Sequence, residues 1–513
     1  MNYCILGEKV LTKGDNPLDP PQFCRALLVI SGTKIAQVFR IPTDGQSVLK
    51  ILEDLCFPQL YYFEEEYLIP GLIDINVKFN GDWEGCASTT QKALEAGVTT
   101  VAYEENSFGF KEDLATKFTD VCQIKPVYEP KDVAKAVADG AVAVKAYNLP
   151  QSSSSKATDL EEVLQELKDT NLGLVVDCSI TSERFLQTVL PHRVGGFGAE
   201  PPLNSVFVTA IDKSSAGSSD SEPNSPLEQK DIFALCEAEK QSYRFQESSF
   251  VNYFKKSTFE GPALKRLELL RPPKISTETP KLDETLYSSY LLNCPSSWEL
   301  RGAKLTVQKL KGSKLKVLFA NISCPETIEL VKGLKLLTQT CPHYLLLEDS
   351  EVPSGDSRFK TFPPIRSREN RLRLLKQLGK TEIVSSHHNP VPGCYKTQEF
   401  RKSLEGISSV GVGFQKLWTH LVKEWGWEEG LRIAVEKMST APAKFIGLDS
   451  LKGSIAKGKH ADITVINPNR HSEGWGIYKG HKLLGSVSKV FLRGELVLDR
   501  QATLARGKLI TKG

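Results

Sequence analysis

Apolar and polar residues alternate in short runs near both ends of the chain and follow a slower rhythm between them. Ala26–Ser31 (ALLVIS), Lys34–Phe39 (KIAQVF), Ala461–Asn467 (ADITVIN) and Ser488–Val497 (SKVFLRGELV) are β-rich runs set apart by Gly and polar turn residues, with Gly494 at a turn. The two ends are expected to share one small β domain. Between them, strand-like runs at Gly97–Tyr103, Ala141–Tyr147, Leu172–Cys178 and Leu315–Ile322 alternate with amphipathic segments, of which Asp159–Thr170 and Pro325–Leu334 read as helices. Repeated β then α over this length predicts an α/β fold: a (β/α)8 TIM-type barrel. The expected boundaries are residues 1–69 and 441–513 for the two parts of a β-sandwich domain, and residues 70–440 for the barrel, with an insertion at about 193–290.

One stretch breaks the rhythm. Lys213–Pro226 (KSSAGSSDSEPNSP) is too rich in Ser, Gly, Pro and acid to bury anything and reads as a surface loop within that insertion.

Charge and composition narrow the partners. The 65 basic and 62 acidic residues nearly cancel, and no long basic face suited to phosphate neutralisation emerges, so nucleic acid is not an expected partner. No apolar run approaches the roughly 20 residues of a membrane helix, and the start, MNYCILGEKVLTKGD, lacks the pattern of a secretory signal. A cytoplasmic protein without membrane insertion is expected. The 11 cysteines are widely spaced, with no C-x-x-C pair, and read as reduced, mostly buried thiols.

In a barrel of this type the C-terminal ends of the strands form the site. Pro70–Phe79 reads PGLIDINVKF, and strand alternation puts Asn76 and Lys78 on one inward face. An amide is a poor transition-metal ligand and an ammonium repels a dication.

The motifs PGLID (70–74), DWEG (82–85), AGVTTV (96–101), SWE (297–299), TCPHYL (340–345), DSRFKTFPPIR (356–366), SSHHNP (385–390) and KGSIAKGKHAD (452–462) occur in order along the chain. Together they resemble an allantoinase, within the dihydroorotase and dihydropyrimidinase group of the cyclic amidohydrolases. In that family two His on the first strand, a carbamylated Lys, two further His and an Asp hold two metal ions. The resemblance puts those six roles at Asn76, Lys78, Lys145, Asp177, Asn321 and His387, of which Lys145 alone keeps the family's residue type. Asn106, His343, Arg366 and His388 also match the family and mark a residual pocket.

What this implies is a fold kept and a metal chemistry lost: an allantoinase-like pseudoenzyme without catalytic residues, metal or other cofactor. It would act as a structural or regulatory subunit with protein partners in a larger assembly, itself a homo-oligomer as the family commonly is. Lys145, without metals to bridge, is expected to remain a plain amine. A Lys78–Asp177 ion pair is expected to take over part of the metals' electrostatic role. The alternatives are an active zinc-dependent allantoinase with rearranged ligands, a metal-independent hydrolase using Lys78, Asp177 and a histidine, and a ureide-binding sensor. A metal site from Asp177, His343, His387 and His388 is disfavoured because adjacent His387 and His388 face opposite ways along a strand. Cys178 as a nucleophile lacks a supporting histidine spacing.

Overall fold

A computed structural model describes residues 2–13, 20–41, 51–53, 59–81, 84–104, 113–147, 159–177, 188–189, 206–207, 283–499 and 502–512. Asn106, Cys178, His192 and the Lys213–Pro226 stretch lie outside the described residues. The chain divides into one unit comprising Met1–Pro191 with Glu284–Gly513, and a second, His192–Asp283, whose described element is the strand Val206–Phe207.

Eight strands of the first unit are Leu72–Lys78, Val98–Glu104, Asp120–Val127, Ala143–Tyr147, Gly173–Asp177, Val317–Ala320, Leu337–Thr340 and Ile383–Val384. Each lies parallel to the next in sequence order. A parallel bridge between Val77 and His388 then joins the last strand's exit to the first strand, with Lys78 N–H donating to His388 O at 2.9 Å and His388 N–H to Asn76 O at 3.1 Å. The ring is a TIM-type barrel. Its strands are buried on both faces, as parallel strands flanked by helices must be: every residue of Ala143–Tyr147 and Gly173–Asp177 is buried. Ile73, Ile75, Ala102, Ile124, Ala143, Val175, Leu318 and Ala320 form one apolar cluster, while Val77, Val101, Val144, Leu174 and Phe319 join helix residues such as Ala93, Val133, Val163 and Ile328 in another. The period-2 alternation of the strands divides the two.

The expected helices appear with trimmed ends. Leu160–Leu167 starts at Asp159, whose carboxylate accepts from Glu162 N–H at 3.5 Å, and Pro325–Gly333 begins with Pro, which has no N–H to leave unsatisfied.

Strands from both ends of the chain make a second sheet. Its order is Ala502–Thr503, Glu495–Asp499, Ser486–Leu492, Ile463–Asn467, Leu60–Pro70, Asn2–Thr12, Gln22–Ser31, Lys34–Arg40, in one hydrogen-bonded series. The Ser488–Val497 run is two strands, turned at Arg493 and Gly494 with φ of 47° and 75°. A Cβ at residue 494 would stand 2.5 Å from Gly32 O, so this hairpin needs glycine on steric grounds as well.

Sheet and barrel are tied by a buried charge cluster. Lys452 Nζ lies 2.8 Å from Asp120 at the start of the third barrel strand and 2.5 Å from Asp462, and Arg493 also pairs with Asp120. The tail then runs beside the same strand, with Val121 N–H donating to Lys508 O and Ile510 N–H to Val121 O, each at 2.8 Å. No helix among the described residues is long and apolar enough to cross a membrane. Eight described cysteines are free thiols, six of them buried.

Candidate functional site

The six positions singled out by resemblance converge. Asn76, Lys78, Lys145, Asp177, Asn321 and His387 all line one cavity, together with Tyr147, Thr361, Phe362, His388, Asn389, Glu405 and Gly406. Lys145 and Asp177 arrive by plain alternation, following the inward residues Ala143 and Val175. Asn76 and Lys78 do not. Ile73 and Ile75 occupy the inward phase of the first strand, and a register shift between Asp74 and Val77 turns Asn76 and Lys78 into the same cavity. A β-bulge, which alternation alone does not foresee, re-aims the strand end. Asn321 and His387 follow their strands with φ of 58° and 55°, left-handed conformations that Asn and His tolerate better than most residues.

The charges are organised by a residue that sequence reasoning passed over. Glu104, at the end of the second strand, has one oxygen 2.8 Å from Lys145 Nζ and the other 3.6 Å from Lys78 Nζ, and the second also accepts the Tyr147 hydroxyl. Glu104 and Lys145 side chains are 8% and 6% exposed, Lys78 28%. Burial alone would raise the Glu104 pKa, but Lys145 and then Lys78 outweigh it and hold the carboxyl below its ordinary value. Lys78 thus finds its carboxylate at Glu104 rather than at Asp177, correcting the expected pair. Asp177 instead accepts from Asn321 Nδ2 at 3.3 Å, and Asn321 Oδ1 accepts from Asn76 Nδ2 at 2.7 Å. The signal for Glu104 was present: an acid at the tip of a strand-like run.

The remaining candidates serve the frame. His388 Nδ1 accepts from Ser409 and Val410 N–H at 3.0 and 3.1 Å, so its proton is on Nε2, 3.5 Å from Glu84 Oε1. Burial lowers its pKa to about 4. His343 is fully buried, bonds Tyr478 OH through Nδ1 at 2.7 Å, and has a pKa lowered by burial to about 3. Arg366 donates to Ser323 Oγ and Cys294 O, beside buried Glu299, which accepts Ser323 and Cys324 N–H. His387 meets Tyr344 OH at 3.3 Å, so the two adjacent histidines are held by different partners.

This donor set does not fit a binuclear metal centre. Two of the six positions carry neutral amides that bond each other, and two carry ammonium groups paired to one carboxylate. Among the described residues no three His, Cys, Asp or Glu side chains cluster so as to hold a metal ion.

Comparison with known proteins agrees with the fold. Residues 416–497 match the Amidohydrolase family. The chain is 29% identical over 244 residues to an allantoinase of Streptomyces avermitilis, a match covering 44% of this chain and 54% of that one, so the chain spans about half of that relative's length. It is 23% identical over 477 residues to a probable allantoinase 2 of Dictyostelium discoideum, covering 85% and 79%. The crystal structure of dihydropyrimidinase from Brevibacillus agri NCHU1002 superposes with a TM-score of 0.69 over 99% of this chain and 98% of that one, at 17% identity. In sequence the chain is thus similar to allantoinases, and in fold to a dihydropyrimidinase. At the strand ends of this barrel the candidate site carries an ion cluster centred on Glu104.

Proposed function

We propose that this cyclic amidohydrolase relative has given up metal-dependent hydrolysis and serves as a structural or regulatory subunit, assembling with itself and with protein partners in the cytoplasm. One observation carries the reading: the ion triad of Lys78, Glu104 and Lys145 fills with its own charges the place where two cations would have to be bound. A divalent pair would have to displace two ammonium groups from their shared carboxylate, and each removal of a buried partner costs about 3–5 kcal/mol. Lys145, engaged as an ammonium, remains uncarbamylated in this reading. Metal analysis of protein expressed with added zinc, combined with an allantoin-hydrolysis assay and intact mass, tests it. Far less than one zinc per chain, no hydrolysis and no carbon dioxide adduct are expected; about two zinc ions per chain with turnover defeats the proposal.

A second reading has an observation behind it. The similarity to allantoinases, with all six positions gathered around one cavity that retains Lys145, favours an active hydrolase with rearranged ligands. The same assay decides between the two.

A further inference from the structure

The triad is unbalanced. Two ammonium groups share one carboxylate, so it carries a net charge of +1, and the donors outnumber the acceptors. An ammonium has three N–H donors. Lys145 Nζ, all but buried, uses one, to Glu104, and lies over the Tyr147 ring at 5.0 Å from its centroid; no second hydrogen bond joins it to another of the described residues. Lys78 Nζ, at 3.6 Å, stands beyond ordinary hydrogen-bond reach of the same group. A buried donor left unmade costs about 1–3 kcal/mol, so a further acceptor between the two lysines is favoured. Two further carboxylates line the cavity and keep it from being a purely cationic site: Asp177, which accepts the neutral Asn321 amide, and Glu405, near the ammonium of buried Lys396. The adjoining barrel interior is lined by the apolar side chains of Ile75, Ile124, Val175, Leu318 and Ala320, with Asn76 and Gln339 as further polar groups beside Glu104 and Lys145.

We propose that the barrel mouth binds a short-chain carboxylate, its two oxygens accepting from Lys78 and Lys145. The anion would engage ammonium donors that Glu104 does not reach, while the adjoining apolar side chains of the barrel limit the ligand to a small hydrocarbon tail. The inference rests on the reading that ammonium groups, not metal ions, occupy the mouth.

Saturation-transfer NMR on the full chain, with sodium acetate as the probe and acetamide as its neutral isostere in equal sodium chloride, tests it. Acetate receives saturation and acetamide does not. Lys78→Met, which leaves the Glu104–Lys145 pair in place, weakens acetate binding about tenfold, the loss of one charge-assisted hydrogen bond. Glu104→Gln, which frees both ammonium groups, strengthens it. Absent saturation transfer to acetate, an equal signal from acetamide, or an acetate signal indifferent to both variants overturns the proposal. Metal analysis of the same sample separates the two failures. Two zinc ions per chain defeat the parent reading, whereas metal-free protein that ignores acetate defeats this one alone.

Discussion

Lys145 Nζ lies 2.8 Å from Glu104 Oε2, on strands that flank the third strand of the barrel, and neither side chain is more than 8% exposed. A pair so placed is expensive to break from one side, because the charge left behind has no water to return to. Glu104→Gln keeps the shape and removes the charge. It is expected to destabilise the fold by about 3–5 kcal/mol, read as a lower urea midpoint. A midpoint within error of the parent chain would mean that the triad does not hold the mouth.

Asp74 gives a pH signature of the opposite sign to that of an ordinary surface carboxylate. Fully buried, with Asn76 and Ser386 N–H on one oxygen and, among the described residues, no hydrogen-bond partner at the other, it has a pKa raised by burial from 3.8 to about 6. A carboxyl whose folded value lies above its unfolded value favours the fold below about pH 4, and that contribution is lost as pH rises through about 6. Asp74→Asn is expected to remove this slope between pH 4 and 6, a difference of roughly 3 kcal/mol at most. Urea midpoints measured across that window check it.

His388 holds the closure through its backbone and a loop through its ring. Its folded pKa is depressed to about 4, so its stabilising contribution is present above pH 6.5 and is lost as pH falls through about 4. His388→Ala orphans the Ser409 and Val410 amides and is expected to cost about 2–4 kcal/mol. His388→Asn, which returns an acceptor near Nδ1, recovers part of it. Equal loss in both variants, measured by thermal unfolding, would show that the ring acts through volume alone.

Lys452 is 1% exposed between Asp120 and Asp462. Lys452→Met leaves buried Asp462 without its ammonium and Asp120 with Arg493 alone, and is expected to cost about 3–5 kcal/mol, seen as loss of soluble protein at 37 °C. Soluble, fully folded Lys452→Met would show that the cluster is dispensable.

The barrel was legible where strands are long and apolar. The Ala141–Tyr147 and Leu172–Cys178 runs became Ala143–Tyr147 and Gly173–Asp177, because continuous apolar runs mark strands buried on both faces. Asp120–Val127 escaped notice because Gln123, Lys125 and Pro126 interrupt its apolar character, and Ile383–Val384 because two residues have no periodicity to detect. The six site positions were found through motif resemblance. Their partners were not, since hydrogen bonds such as Asn76 to Asn321 join residues 245 apart in sequence. The first strand's bulge and the choice of Glu104 over Asp177 depend on which side chains three-dimensional packing brings within reach, which no local pattern encodes.

The terminal sheet also limits how the molecule can be dissected. Leu60–Pro70 is hydrogen-bonded on one side to Asn2–Thr12 and on the other to Ile463–Asn467, so each end of the polypeptide supplies a neighbour to the same strand. Trimming the polypeptide to its central ring would strip both flanks from that strand at once and leave a raw β-edge open to self-association. Fragments of this protein should therefore be designed to keep the two termini together, by co-expression or circular permutation, rather than by excising the middle.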